Sequence, residues 1–203
     1  SNASVFWLTQ GVNMSSTSSP FGLRPSFHPS GLDRAVALTD GIASAYSSNI
    51  LKGQPVYLNS SGQIIIATTS SLLQGAFAGV EWTDSTGRRR VSNYWPASTA
   101  YVTGSCVAYY YSDPNIVYDI QCDGSLAQTS IGDQANFSNI AAGSTTTGLS
   151  TATLSSTLAG AGSAAQLRII GLYNGVDNAW GDAYTTVQVQ INQSQYQASV
   201  NAI

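Results

Sequence analysis

The sequence predicts an all-β chain: an antiparallel β-sandwich or a small β-barrel, preceded by an extended N-terminal arm. Three observations predict it. Lys and Glu occur once each in 203 residues, as Lys52 and Glu81, so two strong helix formers are nearly missing while Val, Ile, Thr and Tyr recur along the chain. Eight or more short apolar runs are separated by Gly, Asp and Pro turn signals, with no sustained helical period. Ser, Thr, Asn and Gln supply 73 residues, yet 43% of the chain is apolar and 10% aromatic, which is enough to build a core rather than a disordered polar chain.

The elements follow in order. Residues 1–14 are set apart from the fold. Ser1-Asn2-Ala3 reads as the scar of a removed expression tag, and residues 4–8 are apolar but too short, and without a preceding basic residue, for a signal segment. Met14, the only methionine, is an alternative natural start. Residues 15–35 read as an extended arm, because Pro20, Pro25 and Pro29 allow neither a helix nor a central strand. Phe21, Leu23 and Phe27 on that arm need a surface to cover, in their own domain or in a neighbouring subunit. With Arg24 they are candidate partner-binding residues.

Residues 36–203 are expected to form a single β domain, with regular structure starting near residues 34–38. Residues 54–58 and 63–68 make a hairpin about Asn59-Ser60-Ser61-Gly62, whose Gly suits a positive φ. Residues 76–82 and 88–94 are the next strands, the second ended by Pro96. Residues 102–111 and 115–121 flank Asp113-Pro114 and are expected to pair as a second hairpin. Residues 135–162, rich in Gly, Ser, Thr and Ala, carry no clear period. Strands follow at 151–154, 167–173 and 185–192. The last alternates strictly, with Val187, Val189 and Ile191 on a buried face and Gln188, Gln190 and Asn192 on a wet one.

Charge and motif content exclude several functions. A net charge of −3 leaves no basic field for nucleic acid, and no run of about eighteen apolar residues is present for a membrane span. The only imidazole, His28, lies between Phe27 and Pro29, and no Gly-x-Ser-x-Gly elbow accompanies it, so a Ser-His-Asp triad is not expected. Asp113, Asp119 and Asp123 raise the question of a glycosidase carboxylate pair. Turn roles explain Asp113 and Asp123, and Asp119 reads as a strand residue facing water. Asp177, Asn178 and Asp182 around Trp180 offer oxygens without the spacing of a calcium loop. No catalytic residue, metal or cofactor is therefore expected.

Cys106 and Cys122 fall near each other in the expected second hairpin but out of direct register. They read either as two buried free thiols or as a disulfide. Arg88-Arg89-Arg90 places Arg88 and Arg90 on one strand face and Arg89 on the other. This is either a solvated edge that discourages strand addition or a contact for an acidic partner surface. Eleven Tyr and four Trp keep carbohydrate binding open as an alternative function, since their flat faces can stack on sugars.

A series of segments carries a resemblance. In order they are Pro20-Phe21-Gly22-Leu23-Arg24-Pro25, Asn49-Ile50-Leu51-Lys52-Gly53-Gln54-Pro55-Val56, Gly75-Ala76-Phe77-Ala78-Gly79-Val80 and Tyr94-Trp95-Pro96-Ala97. Then come Asp113-Pro114-Asn115, Gln128-Thr129-Ser130-Ile131-Gly132-Asp133, Ala165-Gln166-Leu167-Arg168 and Asp177-Asn178-Ala179-Trp180. Over roughly residues 20–198 this order resembles the decoration or cement proteins of tailed-bacteriophage heads. The resemblance implies a jelly-roll sandwich or a smaller tulip-like barrel. It also implies a non-enzymatic role stabilising the outer capsid lattice, with a head-fibre component of the virion as the alternative, the major capsid protein as partner, and a virion location after synthesis in the host cytoplasm. Homo-oligomers are expected, a dimer ahead of a trimer, because a lattice-binding protein usually sits on a symmetry axis.

Overall fold

The computed structural model describes residues 14–31 and 34–203; the readings made on residues 1–13 lie outside the described residues. The first strands are β1 (Arg24–Phe27), β2 (Val36–Thr39), β3 (Pro55–Leu58), β4 (Ile64–Ile66), β5 (Gly75–Thr83), β6 (Arg89–Ser92), β7 (Val107–Tyr110) and β8 (Val117–Gln121). Two-residue strands follow: β9 (Gln134–Ala135), β10 (Phe137–Ser138), β11 (Gly143–Ser144), β12 (Leu149–Ser150) and β13 (Thr153–Leu154). The last two are β14 (Leu167–Leu172) and β15 (Thr186–Ile191).

Two antiparallel sheets dominate. Sheet I has the order β1-β8-β15-β14-β9, and sheet II the order β2-β7-β5-β3-β4, with β6 paired to the second half of β5. Neither sheet closes on itself, so the sandwich alternative holds over the barrel. Among the described residues no helix is long and apolar enough to cross a membrane.

Local chemistry explains the ladders. At the β3–β4 turn Asn59 Oδ1 accepts the N–H groups of Ser61 at 2.9 Å and Gln63 at 3.0 Å. Gly62 takes φ +71° there, a conformation that costs glycine little. In β15, Val187, Val189 and Ile191 are buried as the alternation predicts. Asn192, expected on the wet face, is buried too. Its Nδ2 donates to Gln134 Oε1 at 2.9 Å and to the Ala165 carbonyl at 3.0 Å. Gln166 Nε2 likewise donates to the Thr68 and Ser71 carbonyls at 2.8 and 2.9 Å. These buried amides brace loops that no regular ladder holds.

Each sheet has its own core. The first cluster joins Tyr118, Ile120, Leu167, Ile169, Val187 and Val189 of sheet I to Phe137, Leu154, Leu73 and Ala76. The second joins Ile42, Ile50, Val56, Phe77, Val80 and Trp95, with Trp82 and Trp95 edge to face at 5.4 Å. The two cores meet at the start of β5, where Ala76 faces the first and Phe77 the second. Backbones approach so closely at this point that a Cβ on Gly75 would lie 1.9 Å from the Tyr111 carbonyl oxygen. The Tyr111 N–H donates to the Ala76 carbonyl at 2.9 Å.

Three expectations need correction. Strands β7 and β8 do not pair: β7 belongs to sheet II and β8 to sheet I, so Asp113-Pro114 turns a crossover rather than a hairpin. The hairpin proximity of the cysteines therefore fails. Cys106 is buried in the second core and Cys122 in the first, both free, and burial pushes each thiol up to about 11. Finally, the arm is less separable than its prolines suggest. Leu23 is fully buried in the first core, and β1 is an edge strand of sheet I, paired with β8. Pro25 is compatible with that position because an edge strand can dispense with one N–H.

Candidate functional site

The arm lies along sheet I and builds a groove there. Ser15 is buried, and its hydroxyl donates to an Asp182 carboxylate oxygen and to the Asp177 carbonyl, the latter at 3.1 Å. Gln121 then clips the arm: its Oε1 accepts the Ser19 N–H at 2.8 Å and its Nε2 donates to the Thr17 carbonyl at 3.1 Å. Leu23 N–H donates to the Gly53 carbonyl at 2.9 Å. Beyond Leu23 the alternation of the strand sends Arg24 to the opposite face of the sheet, across from Asp119.

Arg24 organises that face. Its guanidinium carbon stands 4.1 Å from the Phe21 ring centroid and 5.5 Å from that of Tyr173, a geometry in which the ring faces attract the cation. Its Nη2 is 3.5 Å from Asp119 Oδ2. Asp119 is 3% exposed, so the reading that it faces water is corrected: the arm covers it. Its Oδ1 is buried without a hydrogen-bond partner among the described residues. Burial pushes the carboxyl above its ordinary range, against the opposing pull of Arg24 and of hydrogen bonds from Ser26 and Arg24.

The groove has a volume of about 710 Å³, and Phe21, Arg24, Leu149, Tyr173, Val176 and Asn178 are among its walls. It offers aromatic and apolar surface around one half-exposed cation. Such a site can hold a flat or ring-shaped ligand by stacking. Asn178 braces the 173–178 loop, donating to the Tyr173 and Thr186 carbonyls at 2.9 and 2.8 Å and accepting the Thr186 N–H at 3.0 Å. Asp182 Oδ2 accepts the Ala179 N–H at 2.9 Å. The Asp177, Asn178 and Asp182 cluster thus serves as a loop brace.

The remaining sequence-derived candidates separate in space. Of the arm residues, Phe21 and Arg24 line the groove and Phe27 is 45% exposed. Leu23 is not available to a partner, because the chain's own core takes its whole side chain. Arg88, Arg89 and Arg90 lie at and just before the start of the β6 edge, all exposed. Arg89 Nη2 is 2.7 Å from Glu81 Oε1, and its Nη1 donates to the Ser105 carbonyl at 2.7 Å. Arg90 Nε is 2.8 Å from Asp84 Oδ2. Asp84 also accepts the Thr86 hydroxyl at 2.6 Å and the Arg88 N–H at 3.0 Å. These bonds, the Thr86 hydroxyl first, hold its carboxyl well below the usual range.

His28 Nε2 lies 2.8 Å from Asp113 Oδ2, within ion-pairing distance though not aligned as a hydrogen bond. Its Nδ1 accepts the Ser30 N–H at 3.0 Å. Asp123 Oδ1 accepts the Ser156 N–H at 2.8 Å. Asp113, Asp119 and Asp123 are thus each committed to a different neighbour. Tyr173 is the groove residue that sequence reasoning missed. It read as a strand end, and only its aromatic character hinted at a surface role. Among the described residues no group of three or more His, Cys, Asp or Glu is placed to hold a metal ion. The chain matches no protein-family model, no curated protein and no solved structure.

Proposed function

We propose that this chain is a non-enzymatic structural protein of a tailed-bacteriophage virion, attaching to the outer capsid lattice through the major capsid protein and stabilising the head. The observation that carries the reading is where the segments of the phage resemblance fall. Gly53 lies beneath the arm and takes its Leu23 N–H, Gly75 permits the junction of the two cores, and Trp95 fills the second core. Gln166 braces loops from inside, and Asn178 braces the 173–178 loop at the groove wall. The likeness therefore runs through framework positions, as expected where a scaffold and its docking faces are what a family shares. Phe27 and the Arg88–Arg90 edge are the exposed groups assigned to the capsid contact.

The test is co-sedimentation of the purified protein with expanded capsids that lack it, followed by a difference map. Saturable binding at fixed lattice positions is the expected result. Failure to bind any capsid of a phage that encodes this chain would end the proposal. A second reading, a carbohydrate-binding module, is favoured by the groove, where Phe21 and Tyr173 both line the wall within 4.1 and 5.5 Å of the Arg24 guanidinium. Glycan binding lost in Tyr173→Ala, with no capsid binding, would support it instead.

A further inference from the structure

Most edge strands of the two main sheets are blunted in ways that discourage a further strand. β1 carries Pro25, and β9 is two residues long. The edge of β4 is covered, with the Ile64 N–H donating to the Gly41 carbonyl at 2.7 Å and the Ile66 N–H to Tyr46 Oη at 3.3 Å. β6 is guarded by its arginines. β2 has no such device: Val-Ala-Leu-Thr contains neither charge nor proline, and Val36, Ala37 and Thr39 are exposed while Leu38 rests on the second core.

The phase of its hydrogen bonds is fixed. Asp40 N–H donates to the Cys106 carbonyl at 2.6 Å, and β2 runs antiparallel to β7 with Leu38 opposite Ala108 and Val36 opposite Tyr110. Hydrogen-bonded pairs alternate along an antiparallel ladder. Positions 36, 38 and 40 therefore point toward β7, and the N–H and C=O groups of Ala35, Ala37 and Thr39 point to the open side. No hydrogen bond from a described residue takes them up there.

We propose that β2 pairs with β2 of a second copy of this chain, antiparallel about a two-fold axis at Ala37. The outward groups permit that register: Ala37 faces Ala37, Ala35 faces Thr39, and Val36 faces Leu38. The same register brings Arg34 towards the Asp40 turn at both ends of the pair, where the Asp40 carboxylate, held by the Gly104 N–H at 2.8 Å, supplies a nearby opposite charge that a slipped register would move away. No like charges oppose each other. A two-fold contact satisfies both copies at once and leaves neither edge open, and it makes sheet II continuous across the dimer. The contact is centred on the four residues of β2 on each side, which bury less than the ~1,200 Å² of total surface typical of a stable interface. Association is therefore weak and concentration-dependent in solution. The inference does not depend on the capsid reading, since it is measured without capsids.

The test is Ala37→Cys under mild oxidation with oxidised glutathione. Hydrogen-bonded partners in an antiparallel ladder are about 5.5 Å apart between Cα atoms, within disulfide reach. Rapid covalent dimer formation is expected, whereas Ala35→Cys and Thr39→Cys should each stay monomeric alone and cross-link when mixed. In parallel, sedimentation equilibrium of Ala37→Pro should show a folded protein with association weakened at least about tenfold. The N–H that substitution removes is an outward one, so the ladder with β7 keeps its donors. Arg34→Glu, which brings a like charge towards the Asp40 turn, gives the same readout if the proline variant does not fold. The proposal is overturned if Ala37→Cys cross-links no faster than a cysteine at exposed Ser85. It is equally overturned if the single Ala35 and Thr39 variants cross-link as readily, or if the parent stays monomeric up to about 1 mM.

Discussion

Two aspartates set opposite pH dependences through their surroundings. Burial beneath Arg24 raises the Asp119 carboxyl above its ordinary 3.8. Between 3.8 and that raised value the folded chain holds a proton that the unfolded chain has lost, so stability falls as pH rises through this window. Asp84 is shifted the other way by its hydrogen bonds, so the stability it contributes is present above 3.8 and lost as pH falls further. Chemical denaturation across pH should separate them. Asp119→Asn is expected to flatten the decline just above pH 3.8 and to be no less stable than the parent at pH 7. Asp84→Asn should act only on the acid limb. A loss above about 1 kcal/mol for Asp119→Asn at pH 7 would show instead that the half-exposed pair with Arg24 stabilises the fold. None of this was legible in the sequence, where Asp119 and Arg24 are far apart and an aspartate between Tyr118 and Ile120 reads as the wet face of a strand. Asn192 misled in the same way: an amide has no sequence signature that tells a solvated side chain from one bracing a buried loop.

The arm shows what patterning does and does not reveal about elements. Its prolines correctly forbid a helix or a central strand, and the runs behind β3, β4, β5, β6, β14 and β15 were readable from period and turn chemistry. Pairing was not readable, because partner choice depends on long-range packing that neighbouring residues do not encode. β7 and β8 look like hairpin partners and serve different sheets. The arm, likewise, reads as detachable until Leu23 is placed in the core. Its removal has graded consequences. Truncation of residues 1–18 should leave a folded protein, since it sacrifices the Ser15 contacts and the Thr17 clip but keeps Ser19, Leu23 and β1. Truncation of residues 1–32 removes a fully buried leucine and uncovers β8, whose residues are all buried. A leucine-to-alanine change in a core costs about 2–5 kcal/mol by itself, so the longer truncation should lose at least that much. Leu23→Ala in the full chain isolates the leucine. If the 1–32 truncation melts with the parent, the arm is a true appendage.

Across the whole molecule, the two cores draw on the chain differently. The second takes all of its buried members from residues 42–110, whereas the first gathers residue 23, residues 67–76 and residues 116–191. A composition of short strands and small polar residues gives no hint of two cores rather than one, because both obey the same local pattern. They are nonetheless joined through a strand with one face in each: Ala76 and Phe77 are successive residues of β5, and Leu73 enters the first core just before it. The Ile64–Ile66 strand of sheet II is also joined to Leu73 of the first core by a short connection, and Leu73 is bridged to Ser194 beyond β15. A defect in one core must therefore shift a strand that the other core also uses, and the halves should unfold together. Trp82 and Trp95 lie in the second core and Trp180 packs against the first, so in a Trp7→Phe, Trp180→Phe background tryptophan fluorescence reports the second half, while far-ultraviolet circular dichroism follows both sheets. Leu73→Ala, which opens a cavity in the first core alone, should lower both denaturation midpoints equally, by the equivalent of about 2–5 kcal/mol. A fluorescence midpoint left at the parent value while the dichroism transition moves or splits would mean that the second core folds independently, and that the shared strand transmits no stability between the halves.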